Sequence, residues 1–418
     1  MTVSQQRILF RKLVTMTGDD YEDGELIIGQ GRIVEIRSDV SATFEGVTHD
    51  MSDCLILPGF VNAHCHLSLS ALAGKIERRE RFTDWIETVV TENNALPWPE
   101  RVAAMHRQAE TLIASGVTVL GDYLSHPELL VEFQALPFRQ VLFLETLGFQ
   151  HGVADSKARE VETLLQEHPG RGGRIRLGVA PHAPYSVSPE LFRHLRKLAD
   201  QMDCPFSCHV AEVEEETWFL KTGKGDFREL LEKRSVFDPQ WSPPDIGPVA
   251  YLDRLGVLEG MTAIHLNYLK EGDAELLGNK NAAAVFCPGS TRWFGRRQWM
   301  PVRELLDHGV AVGLGSDSLA SNESFNFLHE IRLAEEMLPE LHRSEILWMA
   351  IVGGSQALGL ECSGLEAGRP ADLIGFRYGN HKPEWWDVPF DSGVQEVVFS
   401  MISGEPIFGF SSPPEISL

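Results

Sequence analysis

The chain has 418 residues, 43% hydrophobic and 23% charged, ordinary for a soluble globular protein and long enough for one large domain plus a small one. With 37 Lys+Arg against 60 Asp+Glu the net charge is −23. A surface that acidic repels nucleic-acid phosphates and anionic membranes, so neither is an expected partner.

The opening "MTVSQQRILFRKLVTMTGDD" has no long apolar core, so no secretory leader is expected. No run approaches the roughly 18 apolar residues of a membrane span. The six cysteines (Cys54, Cys65, Cys204, Cys208, Cys287 and Cys362) include no CxxC pair and make no disulfide framework. Cys204 and Cys208 alternate in an apolar run and read as reduced core thiols. A cytoplasmic location follows as the expectation, with a homodimer as the expected assembly.

Residues 1–56 contain "GELIIGQGRIVEIRS", a hairpin pattern with glycine at the turn. Eight β-branched runs follow: "CLILPGFVNAHCH", "GVTVLGDY", "RQVLFLETLGF", "RIRLGVAPHAP", "PFSCHVAE", "GMTAIHLNYL", "NAAAVFCPGS" and "GVAVGLGSDS". Helical stretches such as "WPERVAAMHRQAETLIAS" and "SPELFRHLRKLADQM" lie between them, the second with Ser188 as N-cap and Pro189 at the first helical position. Strands apolar on both faces, alternating with helices, predict an α/β fold: a (β/α)8 TIM barrel over 57–364. An open doubly wound sheet is the alternative. At the C-terminus "GRPADLIGFR" and "VQEVVFSMISGEPIF" read as short strands. Residues 1–56 and 365–418 are predicted to share one small composite β-sandwich. "KTGKGDF", Lys221 to Phe227, reads as a glycine-hinged loop that would serve as a lid.

Chemically capable residues gather at the C-terminal ends of the runs: His64, His66, Asp122, Glu145, His182, His209, His265, Ser290 and Asp317. Barrel enzymes build their sites there. In "PGFVNAHCHL" the i, i+2 spacing puts His64 and His66 on one side of a strand. With His209 and Asp317 they form a three-imidazole, one-carboxylate set suited to Zn2+, with Fe2+ as the other candidate. The fourth run has no lysine to bridge two metals, so one ion per subunit is expected; Glu145 is the other bridging candidate. Glu212, three residues after His209, is placed to move a proton to a substrate ring nitrogen. His265 is placed to orient water beside Asp317. His182, between two prolines, reads as a substrate contact, and Ser290 is grouped with it. Trp85, Trp293 and Phe294 would stack on a flat heterocycle, and Arg292 would pair with an acidic group. Asp122 reads equally as a structural acceptor or a substrate contact.

"PGFVNAHCHL", "PHAPYSVS", "HVAE", "AIHLNYL" and "GSDSLASN" closely resemble the metal-dependent amidohydrolase superfamily, in the branch of cytosine, guanine and S-adenosylhomocysteine deaminases and triazine chlorohydrolases. The resemblance spans nearly the whole chain. It implies metal ligands at His64, His66, His209 and Asp317, a proton-shuttling glutamate at Glu212 and a water-orienting histidine at His265. The implied activity is hydrolytic deamination of an amino-substituted heterocycle, an adenosine derivative above all, with release of ammonia. Where S-adenosylhomocysteine deaminases bind ribose with a glutamate, "FTDWI" offers Asp84 or Thr83. "LSLSALAGKI" and "CPGSTRWFG" are similar to aminodeoxyfutalosine deaminases, whose substrate carries a benzoate that Arg292 would meet. The alternatives are a triazine chlorohydrolase-like or guanine deaminase-like hydrolase and, from another class, a metal-less scaffold or interaction protein.

Overall fold

The structure is a computed structural model and describes residues 5–168, 173–361, 363–378 and 384–410; Cys362 lies outside them, as do parts of the segment 365–418. The described residues form fifteen strands in three hydrogen-bonded sheets. No helix among them is long and apolar enough to cross a membrane.

Strands β1 (Gln5–Leu13), β2 (Tyr21–Gly29), β3 (Arg32–Arg37) and β4 (Gly46–Pro58) come from the start of the chain. Near its end lie β13 (Leu373–Arg377), β14 (Phe399–Ile402) and β15 (Glu405–Phe408). Together they make one continuous seven-stranded ladder, β15-β14-β13-β4-β1-β2-β3. The predicted hairpin is β2–β3, turned by Gln30 and Gly31 with φ of 54° and 76°. Two successive positive φ values match the right-handed twist of the strands they join. Alternation divides the faces of this sheet. Cys54, Ile56, Leu373, Phe399 and Met401 share a local cluster with Ile8 and Leu26. Leu55, Leu57, Ile374 and Phe376 face the main core.

The run "CLILPGFVNAHCH" belongs to two sheets, a division its continuous apolarity concealed. β4 ends at Pro58, and β5 (Phe60–Cys65) starts a parallel sheet, β5-β6-β7-β8, with β6 (Val117–Leu124), β7 (Arg139–Thr146) and β8 (Ile175–Pro181). Gly59 makes the switch, where a Cβ would stand 2.0 Å from Thr118 Oγ1. A second parallel sheet runs β12-β11-β10-β9: β9 (Ser207–Val210), β10 (Thr262–His265), β11 (Ala283–Phe286) and β12 (Ala311–Leu314).

Isolated bridges join the two sheets at both seams, Val179 to Phe206 and Cys65 to Asp317. Val179 N–H donates to Pro205 O at 2.8 Å. At the other seam the N–H groups of Ser316 and Asp317 donate to His64 O at 2.9 and 3.0 Å. Eight parallel strands thus follow one another around a ring in chain order. One apolar cluster draws Val61, Val119, Phe143, Ala180, Ile264 and Val285 from six of them, so it fills the interior. The larger cluster lies between the strands and the helices outside.

The helix Pro189–Met202 begins as its sequence dictates: Ser188 Oγ accepts from Leu191 N at 3.1 Å. The lid expectation needs correction. Residues 221–227 run from one helix, Glu214–Thr222, into the next, Asp226–Lys233, through an elbow at Gly223 and Gly225. Phe227 is buried and stacked on Tyr185 at 3.8 Å, and Arg81 pairs with Asp226 and Glu229 at 2.9 and 2.8 Å. The glycines turn the chain between two helices that are already packed, so no free loop exists there.

Candidate metal centre and active site

His64 stands on β5 and His66 one residue past its end; His209 lies on β9, His265 ends β10, and Asp317 follows β12. All five are buried. Asp317 Oδ1 lies 3.6 Å from His64 Nε2 and 3.8 Å from His66 Nε2. The rings of His66 and His209 are 5.6 Å apart and nearly parallel, and His64 lies 5.0 Å from His209. One ligand atom each of His64, His66 and Asp317 falls within 4.8 Å of the others, and the same holds for His64, His209 and His265 and for His66, Glu145 and His209.

The chain leaves these strand ends in unusual backbone. Ala211, His265 and Asp317 have φ of 50°, 76° and 57°, in the left-handed region that side chains disfavour. Such residues cost about 1–3 kcal/mol each and cluster where geometry serves function.

The buried polar atoms test whether a cation fits. His64 Nδ1 and Nε2 and His66 Nδ1 have no hydrogen-bond partner, and an unpaired buried polar group costs about 1–3 kcal/mol. Burial drives the His64 and His66 imidazoles down to about 4 and about 3, so both are neutral and carry ligand lone pairs at pH 7. Burial alone would raise the Asp317 carboxyl; His64, followed by His265 and His66, overrides it and holds the group well below its ordinary value. His209 Nδ1 donates to His182 O at 2.8 Å, which fixes the tautomer and leaves Nε2 free. Asp317 Oδ2 accepts from Ser290 Oγ at 2.7 Å and Ser321 Oγ at 2.9 Å, so Oδ1 faces the histidines. Neutral imidazoles and an oriented carboxylate are the donor set of a zinc-type ion.

A cavity of about 520 Å³ opens over this cluster, with His66, Glu145, His182, His209, Glu212, His265 and Asp317 in its wall. Glu212 Oε2 lies 3.8 Å from His265 Nε2, and Glu212 Oε1 accepts from Arg296 Nη2 at 2.9 Å. Burial raises the Glu212 carboxyl to about 7, against the pull of Arg296. Beneath it, buried Glu216 Oε2 accepts from Glu212 N at 3.3 Å.

An amidohydrolase family model matches residues 55–407. A 5-methylthioadenosine/S-adenosylhomocysteine deaminase of Pelotomaculum thermopropionicum is 30% identical over 386 residues, 87% of this chain and 82% of that one. The chain belongs to the amidohydrolase family. An aminodeoxyfutalosine deaminase of Deinococcus radiodurans is also 30% identical, covering 80% of each chain. An adenosine deaminase of Xanthomonas campestris solved with bound zinc has a TM-score of 0.81 at 22% identity, over 99% of this chain and 95% of that one.

In this amidohydrolase the expected substrate contacts divide. His182 and Trp85 line the cavity, with Trp85 packed on Phe82 at 5.2 Å and Phe294 at 5.0 Å. Ser290 is turned to Asp317 and is absent from the cavity wall. Arg292 points away: it pairs with Glu336 at 2.7 Å, both side chains more than half exposed, and lines a separate cavity with Trp293. A six-residue helix, Pro288–Trp293, turns its side chain outward. Asp84 is exposed and Thr83 buried; neither lines the catalytic cavity. Asp122 is a structural acceptor, taking Leu67 N–H at 2.7 Å. Cys208 is buried and free, and Cys204 is free and half-buried.

Glu145, weighed from sequence only as a bridge, presents an unpaired Oε1 to the cavity. Sequence reasoning passed over Arg296 and Ser321, and its reading of Glu214 to Glu216 as a solvated helix start needs correction at Glu216, which is fully buried. Ser321 had a signal, lying four residues after Asp317 in "GSDSLASN". Arg296 had none beyond the pair "RR" after Gly295.

Proposed function

We propose that this chain is a metal-dependent hydrolytic deaminase of an adenosine derivative, releasing ammonia. The observation that carries it is the set of overlapping clusters formed by His64, His66, His209, His265 and the Asp317 carboxylate, with unpartnered imidazole nitrogens on His64 and His66 and with Glu212 and His265 facing the same cavity. His64, His66, His209 and Asp317 would hold one ion, zinc in preference to iron. Zinc is supported by the imidazole-rich donor set and by the zinc bound in the structural relative. We further read the strand ring as a (β/α)8 barrel that starts at Phe60 rather than at residue 57, because β4 continues to Pro58, and the terminal ladder as a curled composite sandwich of the chain's first 58 residues and its end from 365 onward. Both readings are supported by the bridged seams and the shared cluster inside the ladder.

A zinc-type ion held by His64, His66, His209 and Asp317 would supply a nucleophile by lowering the pKa of water towards about 7. His265 and Asp317 orient that water and take up its proton. Glu212, raised to about 7 by burial, exchanges protons near neutral pH. It gives one to the ring nitrogen beside the amino-bearing carbon, which makes that carbon electrophilic. The hydroxide would add to that carbon, and the proton held by His265 and Asp317 would pass to the amino group. The C–N bond would break to release ammonia, and the new hydroxyl would return its proton to Glu212 as it becomes the carbonyl. His182 and Trp85 contact the heterocycle and its sugar.

Beyond the catalytic end the cavity wall is largely apolar, with Ile86, Val89, Leu147, Phe149, Leu230 and Leu231. The charged residues of this arm are Lys157 and Arg234, whereas the wall's carboxylates, Glu145, Glu212 and Asp317, all stand at the catalytic end. Such an arm suits a 5′-substituent that is apolar or ends in an anion. Both relatives at 30% identity carry deaminase names, which supports ammonia as the leaving group over chloride. Four converging buried ligands have no use in a metal-less scaffold.

The test is zinc content of the purified protein, followed by ammonia release from 5′-substituted adenosines, guanine, cytosine and a chlorotriazine. The expected result is one zinc per chain and turnover confined to adenosines. Chloride release without ammonia would overturn the deaminase reading.

A further inference from the structure

Arg296 is a largely covered charge that the mechanism above does not use. Its side chain is 9% exposed, and its guanidinium lies over the rings of Phe294 at 4.5 Å and Phe82 at 5.5 Å. Aromatic faces on a cation hold it in place without neutralising it. Its carboxylate partner is Glu212, 8% exposed, at 2.9 Å from Oε1. Arg296 is not in the wall of the catalytic cavity, whereas Glu212 and His265 are. The guanidinium therefore reaches the cavity only through Glu212.

The backbone is built for this approach. After the helix Pro288–Trp293 the chain reverses at Gly295, whose φ is 61°, and Arg296 N–H donates to Thr291 O at 3.1 Å. A Cβ on Gly295 would stand 2.2 Å from Arg78 Nη1, so the turn admits no side chain without displacing that arginine.

The two Glu212 oxygens then differ. Oε1 is occupied by Arg296, and Oε2 is left facing His265 at 3.8 Å. We propose that Arg296 is a positioning residue that clamps Glu212 by Oε1, so that Oε2 alone carries the transferred proton. A free carboxylate would spread its time over several rotamers and both oxygens, and a misplacement of about 1 Å in a reacting group can cost on the order of 10²-fold. The inference rests on the hydrolase reading of Glu212, but one arm of its test needs no turnover.

The first arm is crystallographic. In zinc-loaded Arg296→Met, the Glu212 carboxylate is expected to shift by more than about 1 Å or to split between rotamers, with the histidine cluster unmoved. Glu212 held in its original place would overturn the assignment, whatever reaction the enzyme catalyses. The second arm is kinetic and uses any substrate the wild type turns over. Arg296→Met should lower kcat about 10–100-fold with KM changed less than about threefold. Arg296→Lys should recover part of the loss as a point charge without the fork, and added guanidinium should raise kcat of Arg296→Ala. Unchanged kcat, or a raised KM at constant kcat, would overturn the clamp. If the Met variant fails to fold, Arg296→Gln, which keeps a polar group in the aromatic cradle, carries both arms.

Discussion

The two ends of the catalytic cavity are built on opposite principles. At the ring end, imidazoles and carboxylates crowd within 4.8 Å of one another in groups of three, several of their atoms lack partners, and Ala211, His265 and Asp317 are held in left-handed backbone. At the outer end Ile86, Val89, Leu147 and Leu231 offer ordinary apolar wall, and the charges there are cationic. The ring end stores unmet electrostatic demand that a cation and a reacting centre satisfy. The outer end gains only from removing substrate surface from water. Substitutions should therefore separate cleanly, lowering kcat at the first and raising KM at the second.

The largest effect is expected from the cluster itself. Asp317→Asn keeps the shape and the Ser290 and Ser321 contacts on one oxygen but weakens the carboxylate donor to the metal site. Turnover should fall to background and bound zinc, measured by metal analysis, should drop well below one per chain. Full zinc with normal turnover would sever the cluster from the chemistry. Next comes Glu212→Gln, expected to lower kcat by about 10²–10⁴-fold while zinc stays bound, because general acid–base catalysis is lost without a ligand being lost.

These ring-end residues were legible in the sequence because a strand fixes side-chain direction. The i, i+2 spacing of His64 and His66 carries the alternation of β5 one residue past its end, and runs apolar on both faces place their polar ends at one mouth of the ring. What the sequence could not show was direction outside strands. Arg292 and Arg296 sit four residues apart around a short helix and a glycine turn; one faces solvent and the other Glu212, and only the φ of 61° at Gly295 decides it. The lid misreading has the same origin. Gly223 and Gly225 mark a reversal of the chain, but whether a reversal is free or packed depends on Arg81 and Tyr185, far away in sequence. Likewise the apolar continuity of "LILPGFV" hid a change of sheet that only the contact of Gly59 with Thr118 reveals.

A third prediction probes what underlies the ring end. Glu330 is fully buried, accepting from Gly289 N–H at 2.9 Å and Asn322 Nδ2 at 2.6 Å, and so ties the Ser290 segment to the Asp317 loop. Burial raises its carboxyl from 4.5 to about 8. The folded chain keeps a proton there that the unfolded chain has released. The resulting stability is complete below pH 4.5 and is lost as pH rises through about 8. Glu330→Gln, neutral throughout, should show a flatter decline of unfolding free energy between pH 5 and 8, by up to about 1.4 kcal/mol per pH unit. Parallel pH profiles in denaturant titrations would show that Glu330 ionises normally.

The outer end should respond more weakly. Leu147 is 51% exposed and lines the cavity, so truncation scarcely disturbs the core. Leu147→Ala should raise KM about three- to tenfold at constant kcat, the scale of lost apolar contact in a binding pocket. Leu147→Asp sharpens the comparison by placing a carboxylate in an arm that has none. A substrate tail ending in an anion would suffer more from it than from alanine, and an uncharged tail would lose about the same from either.

The smallest effect belongs to Arg292, which the sequence offered as one candidate partner for an acidic group. Its partner Glu336 is 59% exposed and it is itself 57% exposed; surface pairs of this kind contribute about 0–1 kcal/mol. It lines a separate cavity and is absent from the wall that holds His182 and Glu212. Arg292→Ala should leave both kcat and KM within about twofold, because a pair worth so little and placed outside the cavity has nothing to withdraw from the reaction. The contrast with Arg296→Met then becomes the sharpest form of the comparison. Two arginines four residues apart should differ in effect by at least an order of magnitude, because one pairs with Glu212 in the cavity wall and the other with exposed Glu336. A large rise in KM for Arg292→Ala would return it to the substrate and require the loop to rearrange when the cavity fills.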